Sequence, residues 1–370
     1  MRSPLVTVGV PVYHGQNELP VTLECLRNQT YPNLDVLVAV DAGDLESAKA
    51  CEPFLRRDSR FRMQVQSSRL GWAANTNWTM RERRGEFYIF QQHDDQVSPG
   101  YVADLVTAAL RSPGAAICFA EMQCTGLRTM VQRGMALSGS PVDRATKYLE
   151  TLDIVPFRGL IRGSALAETS GLLLSDVDPF ESFGTEFRFM TELALLGEFK
   201  FVAGPTYYKR MHGANLHLKR QNWSEDRKQL AWASLAAWIV EALVPAGQSI
   251  EDSRRLFDAV LARFLIASSS WSWLGKAGRR LAWSRSRALH PLRVVLDRLR
   301  SNEQAVQSLR GRWMFYEAQS SDQRAALLRI ILERLRCGGR FDPPSSLQVS
   351  WEMLEEETRK RFMVKPPRAY

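Results

Sequence analysis

Two stretches of this chain, Leu5–Val10 (LVTVGV) and Leu34–Val40 (LDVLVAV), stay apolar on both faces of an extended backbone. A strand with one wet face alternates polar and apolar residues. Strands without that alternation need cover on both sides, which helices above and below a parallel sheet provide. Further strand-like runs follow at Phe61–Gln66, Phe87–Gln91 and Ala115–Met122. Helical patterns separate them, near Glu18–Asn28, Leu45–Arg57, Trp72–Arg84 and Tyr101–Arg111. The alternation predicts an α/β fold of Rossmann-like kind, a mostly parallel sheet flanked by helices with right-handed crossovers.

Ligands of such sheets sit beyond the carboxyl ends of the strands. Asp41 closes the second strand there, and His93-Asp94-Asp95 follows the fourth. Adjacent carboxylates repel, and burying them unpaired is costly. The turn is therefore either a solvated one ahead of the Ser98-Pro99 helix start, or a place where something cationic sits. Paired carboxylates suit a hard divalent ion such as Mg²⁺ or Mn²⁺, which usually also holds substrate phosphates.

Strand-like runs stop near Asn222, and helical periodicity rich in Trp, Leu and Arg takes over. We expect an α/β domain over residues 1–222 and a basic α-helical domain over 223–370. Within the latter, Gly275–Arg300 carries eight Lys and Arg residues against the single acid Asp297, and the whole chain has a formal net charge of +9. A basic balance points to an anionic partner. Arg-rich helices bearing Trp271, Trp273 and Trp283 suit peripheral contact with an acidic membrane, although core packing is the commoner use of Trp and Leu at helical spacing. A nucleic-acid binder would interleave aromatic and basic residues on one binding surface, whereas the charge here concentrates in Arg-rich helices away from the predicted cleft, so a nucleic-acid partner is not expected. No uncharged apolar run reaches membrane-spanning length, and the five cysteines show no CxxC spacing. A reducing, cytoplasmic setting without disulfides or structural zinc is expected.

The ordered motifs VGVPVYHGQNELP, VDAGD, RLGWAANTNW, GEFYIFQQHDDQVSPGYV and FGTEFRFMTELALLGEFKFVAGPTYYKRMHGAN resemble the family 2 glycosyltransferases of the GT-A fold, over about residues 4–217. The resemblance implies inverting, metal-assisted transfer of a sugar from a nucleoside diphosphate donor, most often a UDP-sugar, to a hydroxyl of a carbohydrate or lipid-linked acceptor, as in polysaccharide biosynthesis. It assigns Pro11, Val12 and Tyr13 to the nucleobase with Glu18 beside them, Asp41 to the pyrimidine ring, and Asn77 and Asp94 to the donor. Asp95 and His212 become metal ligands for Mn²⁺ or Mg²⁺, and Glu186 the catalytic base.

Plainer roles exist for each: Glu18 and Glu186 as helix-start acids, Asp41 as a turn former, His212 as an ordinary surface or core histidine. Arg158 and Arg162, in VPFRGLIRG, are candidates to meet an anionic acceptor. Gly213–Gln221 reads as a lid over the donor or as an interdomain linker. The chain departs from the family pattern at His14 (usually Asn), Ala42 (usually an acid), Thr76 (usually Arg) and Thr185 (usually an acid). A nucleotidyltransferase making sugar nucleotides would want a Gly-rich basic loop after the first strand, which PVYHGQNELP does not supply. A non-catalytic scaffold would not need both Asp95 and Glu186.

Overall fold

The computed structural model describes residues 3–174 and 182–213, together with Asn215, Arg220, Trp223 and isolated positions between 235 and 259. The chain divides into two compact units, Met1–Asn222 and Trp223–Tyr370. Most of the second unit lies outside the described residues. So do the Gly275–Arg300 stretch with the membrane contact expected from it, and much of the Gly213–Gln221 segment.

The first unit runs β1 (Val6–Val12), α1 (Leu19–Arg27), β2 (Leu34–Val40), α2 (Leu45–Arg57), β3 (Phe61–Val65), α3 (Gly71–Arg81), β4 (Phe87–Phe90), β5 (Gln96–Val97), α4 (Tyr101–Arg111), β6 (Ala115–Gly126), β7 (Met130–Gln132), α5 (Pro141–Thr151), a 3₁₀ turn (Val155–Arg158), β8 (Leu160–Arg162), α6 (Gly163–Ala167), α7 (Thr185–Leu196) and β9 (Glu198–Met211). One sheet orders them β3-β2-β1-β4-β8-β6-β9-β5, with β7 on β6. It is parallel from β3 to β4. Beyond β4 it is mixed: β8 is antiparallel to both β4 and β6, while β6 and β9 run parallel to each other.

Every residue of β1 and β2 is buried, as the two-faced apolar runs require. Each fully buried Val or Leu contributes about 1.5–3 kcal/mol of transfer free energy. Asp35 is the charged interruption in β2. It accepts from Thr7 Oγ1 at 2.8 Å and from Arg62 Nε at 2.6 Å, so the carboxylate is paired. Helix α1 turns Leu19, Thr22, Leu23 and Leu26 inward, and α4 turns Tyr101, Val102, Leu105, Val106 and Ala109. Those are the i, i+3, i+4, i+7 stripes of helices lying on a sheet.

Pro11 continues β1 because β4 has already left that edge. The β1–β4 register ends at Gly9↔Phe90, whereas β2 stays alongside through Val12↔Val40. Strands β1 to β4 therefore end at one rim. The antiparallel pairing of β5 with Tyr207 and Tyr208 brings the end of β9 to the same rim, beside the turn that follows β4.

Candidate active site

The turn after β1 is held rigidly. His14 adopts φ 54°, in the left-handed region where Asn, Asp and His are the enriched non-glycine residues. Its backbone N–H donates to Asp44 Oδ2 at 2.6 Å, and the Gly15 N–H donates to Ser47 Oγ at 2.9 Å. A Cβ on Gly15 would stand 2.7 Å from the His93 ring, so only glycine lets this turn approach the acidic one. Pro11 and Val12 are buried at the end of β1, while Tyr13 is half-buried, with the Arg69 guanidinium 4.4 Å above its ring. Glu18, expected near the nucleobase, pairs with Arg210 Nη1 at 3.3 Å and makes no side-chain cap to α1.

Asp41 is 1% exposed and its carboxylate already serves the backbone. It accepts from Leu70 N at 2.7 Å, Gly71 N at 2.9 Å and Ala42 N at 3.0 Å, tying the end of β2 to the start of α3. A carboxylate has about four lone-pair sites, so one remains for a ligand donor. Asn77 departs from its expected donor contact. Its Oδ1 accepts from Leu172 N at 2.7 Å and its Nδ2 donates to Leu172 O at 2.5 Å, so both halves of the amide clamp the 170–172 loop.

The two acids after β4 face opposite ways. Asp95 is 1% exposed: Tyr207 Oη donates to Oδ2 at 2.9 Å and Arg210 N to Oδ1 at 2.8 Å, with Lys209 Nζ at 3.9 Å. Burial raises its pKa, against the pull of Lys209. Asp95, expected to meet a metal, fastens β9 to the turn through these two hydrogen bonds. Asp94 faces His212 instead, Oδ2 to Nε2 at 2.7 Å, with Asn215 Nδ2 3.1 Å from the same ring nitrogen. The His93 charge and the His212 hydrogen bond outweigh burial and hold the Asp94 carboxyl below its ordinary range. One carboxylate and one imidazole are donor types that Mn²⁺ or Mg²⁺ accepts, and such ions keep several waters or substrate oxygens besides. The pair fits that ion, although no cluster of three or more His, Cys, Asp or Glu occurs among the described residues.

Glu186 lies across the rim at the second position of α7, whose N-terminal neighbour Gly184 adopts φ 73° to start the helix. Its Oε2 is buried with no hydrogen-bond partner, and burial raises its pKa against the fields of Arg220 and Arg158. Glu192, one and a half turns on, is by contrast paired with Arg188 at 2.6 Å. Arg158 is 8% exposed, and its Nε and Nη1 likewise lack hydrogen-bond partners. Arg162 is spent differently from the expected acceptor contact: it donates to the carbonyls of Ala115, Ala109 and Ser112, closing the end of α4.

The sequence model of Glycosyl transferase family 2 matches residues 7–169. Residues 7–169 are therefore similar to the domain of glycosyl transferase family 2. EpsH of Bacillus subtilis (strain 168), a protein named as a glycosyltransferase, is 25% identical over 292 residues, covering 76% of this chain and 81% of EpsH. The O-antigen biosynthesis protein RfbC of Myxococcus xanthus is 27% identical over 173 residues, which is 46% of this chain but only 13% of RfbC. S. aureus TarS 1-349, solved in complex with UDP-GlcNAc, superposes with a TM-score of 0.56 at 16% identity, over 97% of this chain and 92% of that one. The fold is that of the GT-A glycosyltransferases. Glu186 and His212 both lie beyond the stretch matched by the family model.

This glycosyltransferase departs from the family pattern where its own packing explains the change. Thr76 is fully buried and donates to Trp72 O, leaving no room there for an arginine. Several supporting residues went unnoticed in the sequence. Asp44 is legible as an N-cap, three residues ahead of Ser47, whose N–H donates to it. Thr22 is not: its hydroxyl lies against the carbonyls of His93 and Asp95, more than seventy residues away, and nothing local marks it. No helix among the described residues is long and apolar enough to cross a membrane.

Proposed function

We infer that this enzyme moves a sugar from a nucleoside diphosphate to an acceptor hydroxyl, inverting the anomeric configuration. The observation that carries the reading is the contact of Asp94 with His212, 118 residues apart, on the same rim as a Glu186 oxygen that has no partner. Asp94 and His212 would hold Mn²⁺ or Mg²⁺, and the bound ion supplies positive charge against the negative charge that develops on the departing diphosphate.

The remaining chemistry falls to the protein's own groups. Tyr13 and the last free lone pair of Asp41 receive the base. Glu186 Oε2 accepts the proton of the acceptor hydroxyl as that oxygen bonds to the anomeric carbon. The carbon–oxygen bond to the diphosphate breaks in the same event, and its electron pair leaves on the phosphate oxygen. A carboxylate with a raised pKa is a stronger base than an exposed one, which suits this step. Asp95, Tyr207 and Thr22 keep the Asp94 turn in place.

The donor we propose is a UDP-sugar, as in the complexes of TarS, which shares the fold. The name of RfbC, an O-antigen biosynthesis protein, supports a glycan or lipid-linked glycan acceptor in polysaccharide biosynthesis, and a cytoplasmic site near the membrane is consistent with such an acceptor. The decisive measurement is thermal stabilisation by UDP with and without Mn²⁺ or Mg²⁺. Stabilisation should require the ion and vanish in Asp94→Asn. Stabilisation that ignores both the ion and that substitution would refute the reading.

A further inference from the structure

Among the described residues the arginines buried around the site are nearly all satisfied. Arg144 donates to the carbonyls of Ala194, Gly139 and Leu195, Arg162 to three others, and Arg188 pairs with Glu192. Arg158 differs from these three. Its side chain makes no hydrogen bond or ion pair, yet the residue is 8% exposed with Nε and Nη1 sealed from solvent. A buried donor left unsatisfied is costly, and more so when it is charged. A protein that holds a cation this way has a use for it when something else is bound.

The position says what that something is. Arg158 ends the 3₁₀ turn before β8, and β8 runs antiparallel to β4, so the turn lies at the rim where Asp94 and Asp95 follow β4. Tyr101 Oη donates to the Arg158 carbonyl at 2.9 Å, and the rings of Phe90, Phe157 and Tyr207 surround the guanidinium at 5.1, 5.3 and 5.8 Å. The group is thus fixed in direction and cannot swing out to water. Phe157 also packs edge-on against Phe189, one turn along α7 from Glu186. That puts Arg158 near the base, and its charge also reaches Asp95 in the turn after β4.

The two orphaned groups are complementary. Glu186 Oε2 lacks a donor and Arg158 lacks an acceptor; each lies in the other's field, and they form no ion pair. We propose that Arg158 receives an anionic group, phosphate or carboxylate, carried by the acceptor beside the hydroxyl that Glu186 deprotonates. The forked guanidinium matches either anion in two-pronged fashion. This rests on the transfer reading above and deepens it, from any hydroxyl acceptor to an acidic one.

The test uses the full-length protein, wild type and Arg158→Met. Glycerol 3-phosphate and D-glucuronate serve as probes, glycerol and glucose as their neutral counterparts, and UDP with Mn²⁺ as the donor-side control, all by calorimetry. The wild type should take at least one anion in preference to its neutral counterpart. Arg158→Met should weaken that binding about tenfold or more, the loss expected of a charge-assisted hydrogen bond, while UDP binding stays unchanged. The variant should melt no lower than wild type, because it removes an unpaired buried charge. A matching loss of UDP affinity would assign the anion to the donor's diphosphate and overturn the proposal. So would a wild type indifferent to both anions. If UDP fails to bind the wild type, the transfer reading itself falls, and that result is distinct from the other two.

Discussion

Two acids on the parallel half of the rim and two charged groups on the mixed half are treated in opposite ways. On the parallel side Asp41 accepts three backbone N–H groups and Asp44 two. On the mixed side Glu186 Oε2, Arg158 Nε and Arg158 Nη1 have no partner at all. Substituting the first kind of group should damage the fold. Substituting the second should damage function while sparing or even helping the fold. Satisfied acids are scaffold with some ligand capacity left over; unsatisfied ones are waiting for substrate.

Glu186→Gln tests the contrast most severely. A general base contributes roughly 10²–10⁴-fold to rate. Transfer, followed as release of free UDP in single turnovers, should fall within that range while UDP affinity holds and the melting temperature does not drop. Turnover at the wild-type rate would remove Glu186 from the base role and leave it as a helix-start acid.

Asp41→Ala probes the opposite side, and its effect should appear in stability. The substitution strands the Leu70 and Gly71 N–H groups, each at a cost of about 1–3 kcal/mol. Urea unfolding should show a loss of about 2–5 kcal/mol, with weaker UDP binding on top. Unchanged stability would mean that the two halves of the rim do not differ as described.

Much of this contrast lies beyond what the sequence can say. The edges of β2, α2 and α4 coincide with the expected Leu34–Val40, Leu45–Arg57 and Tyr101–Arg111, because each is fixed by local signals: a two-faced apolar run, the Asp44 cap, the Ser98-Pro99 turn. The rim position of the acids follows from the alternation of strands and helices alone. Which of two adjacent aspartates faces outward does not. That is decided by Tyr207 and Arg210, more than 110 residues away, and no pattern around Asp94-Asp95 records it. The orphaned state of Arg158 is equally silent, since Arg162, four residues on, is spent on three carbonyls.

The titration of Glu186 gives a smaller effect, and one with a definite sign. Burial raises its folded-state pKa above the unfolded value, while Arg220 and Arg158, the charged groups that face it, keep their charge throughout the range. The protonated carboxyl therefore stabilises the fold fully below the ordinary glutamate range, and this contribution is lost as pH rises through the raised value. Glutamine does not titrate. Without ligand, the wild type should lose stability relative to Glu186→Gln as pH climbs through that window, as read by urea unfolding at a series of pH values. A gap that stays constant would show that the carboxylate is not desolvated.

Asn77 gives the smallest effect and the sharpest division between scaffold and ligand contact. Its amide is consumed by Leu172, whose residue is 1% exposed, so the pair works as a small piece of backbone pairing between α3 and the 170–172 loop. Asn77→Ala should cost about 1–2 kcal/mol of stability, two neutral hydrogen bonds partly made up by water. Asn77→Asp keeps the acceptor for Leu172 N but turns a carboxylate oxygen toward the Leu172 carbonyl, so it should cost at least as much. Neither should change the affinity for UDP, because both ends of that amide are turned onto Leu172. A tenfold loss of UDP affinity in Asn77→Asp, with the fold intact, would move Asn77 from the scaffold to the donor site and extend the unsatisfied side of the rim across α3.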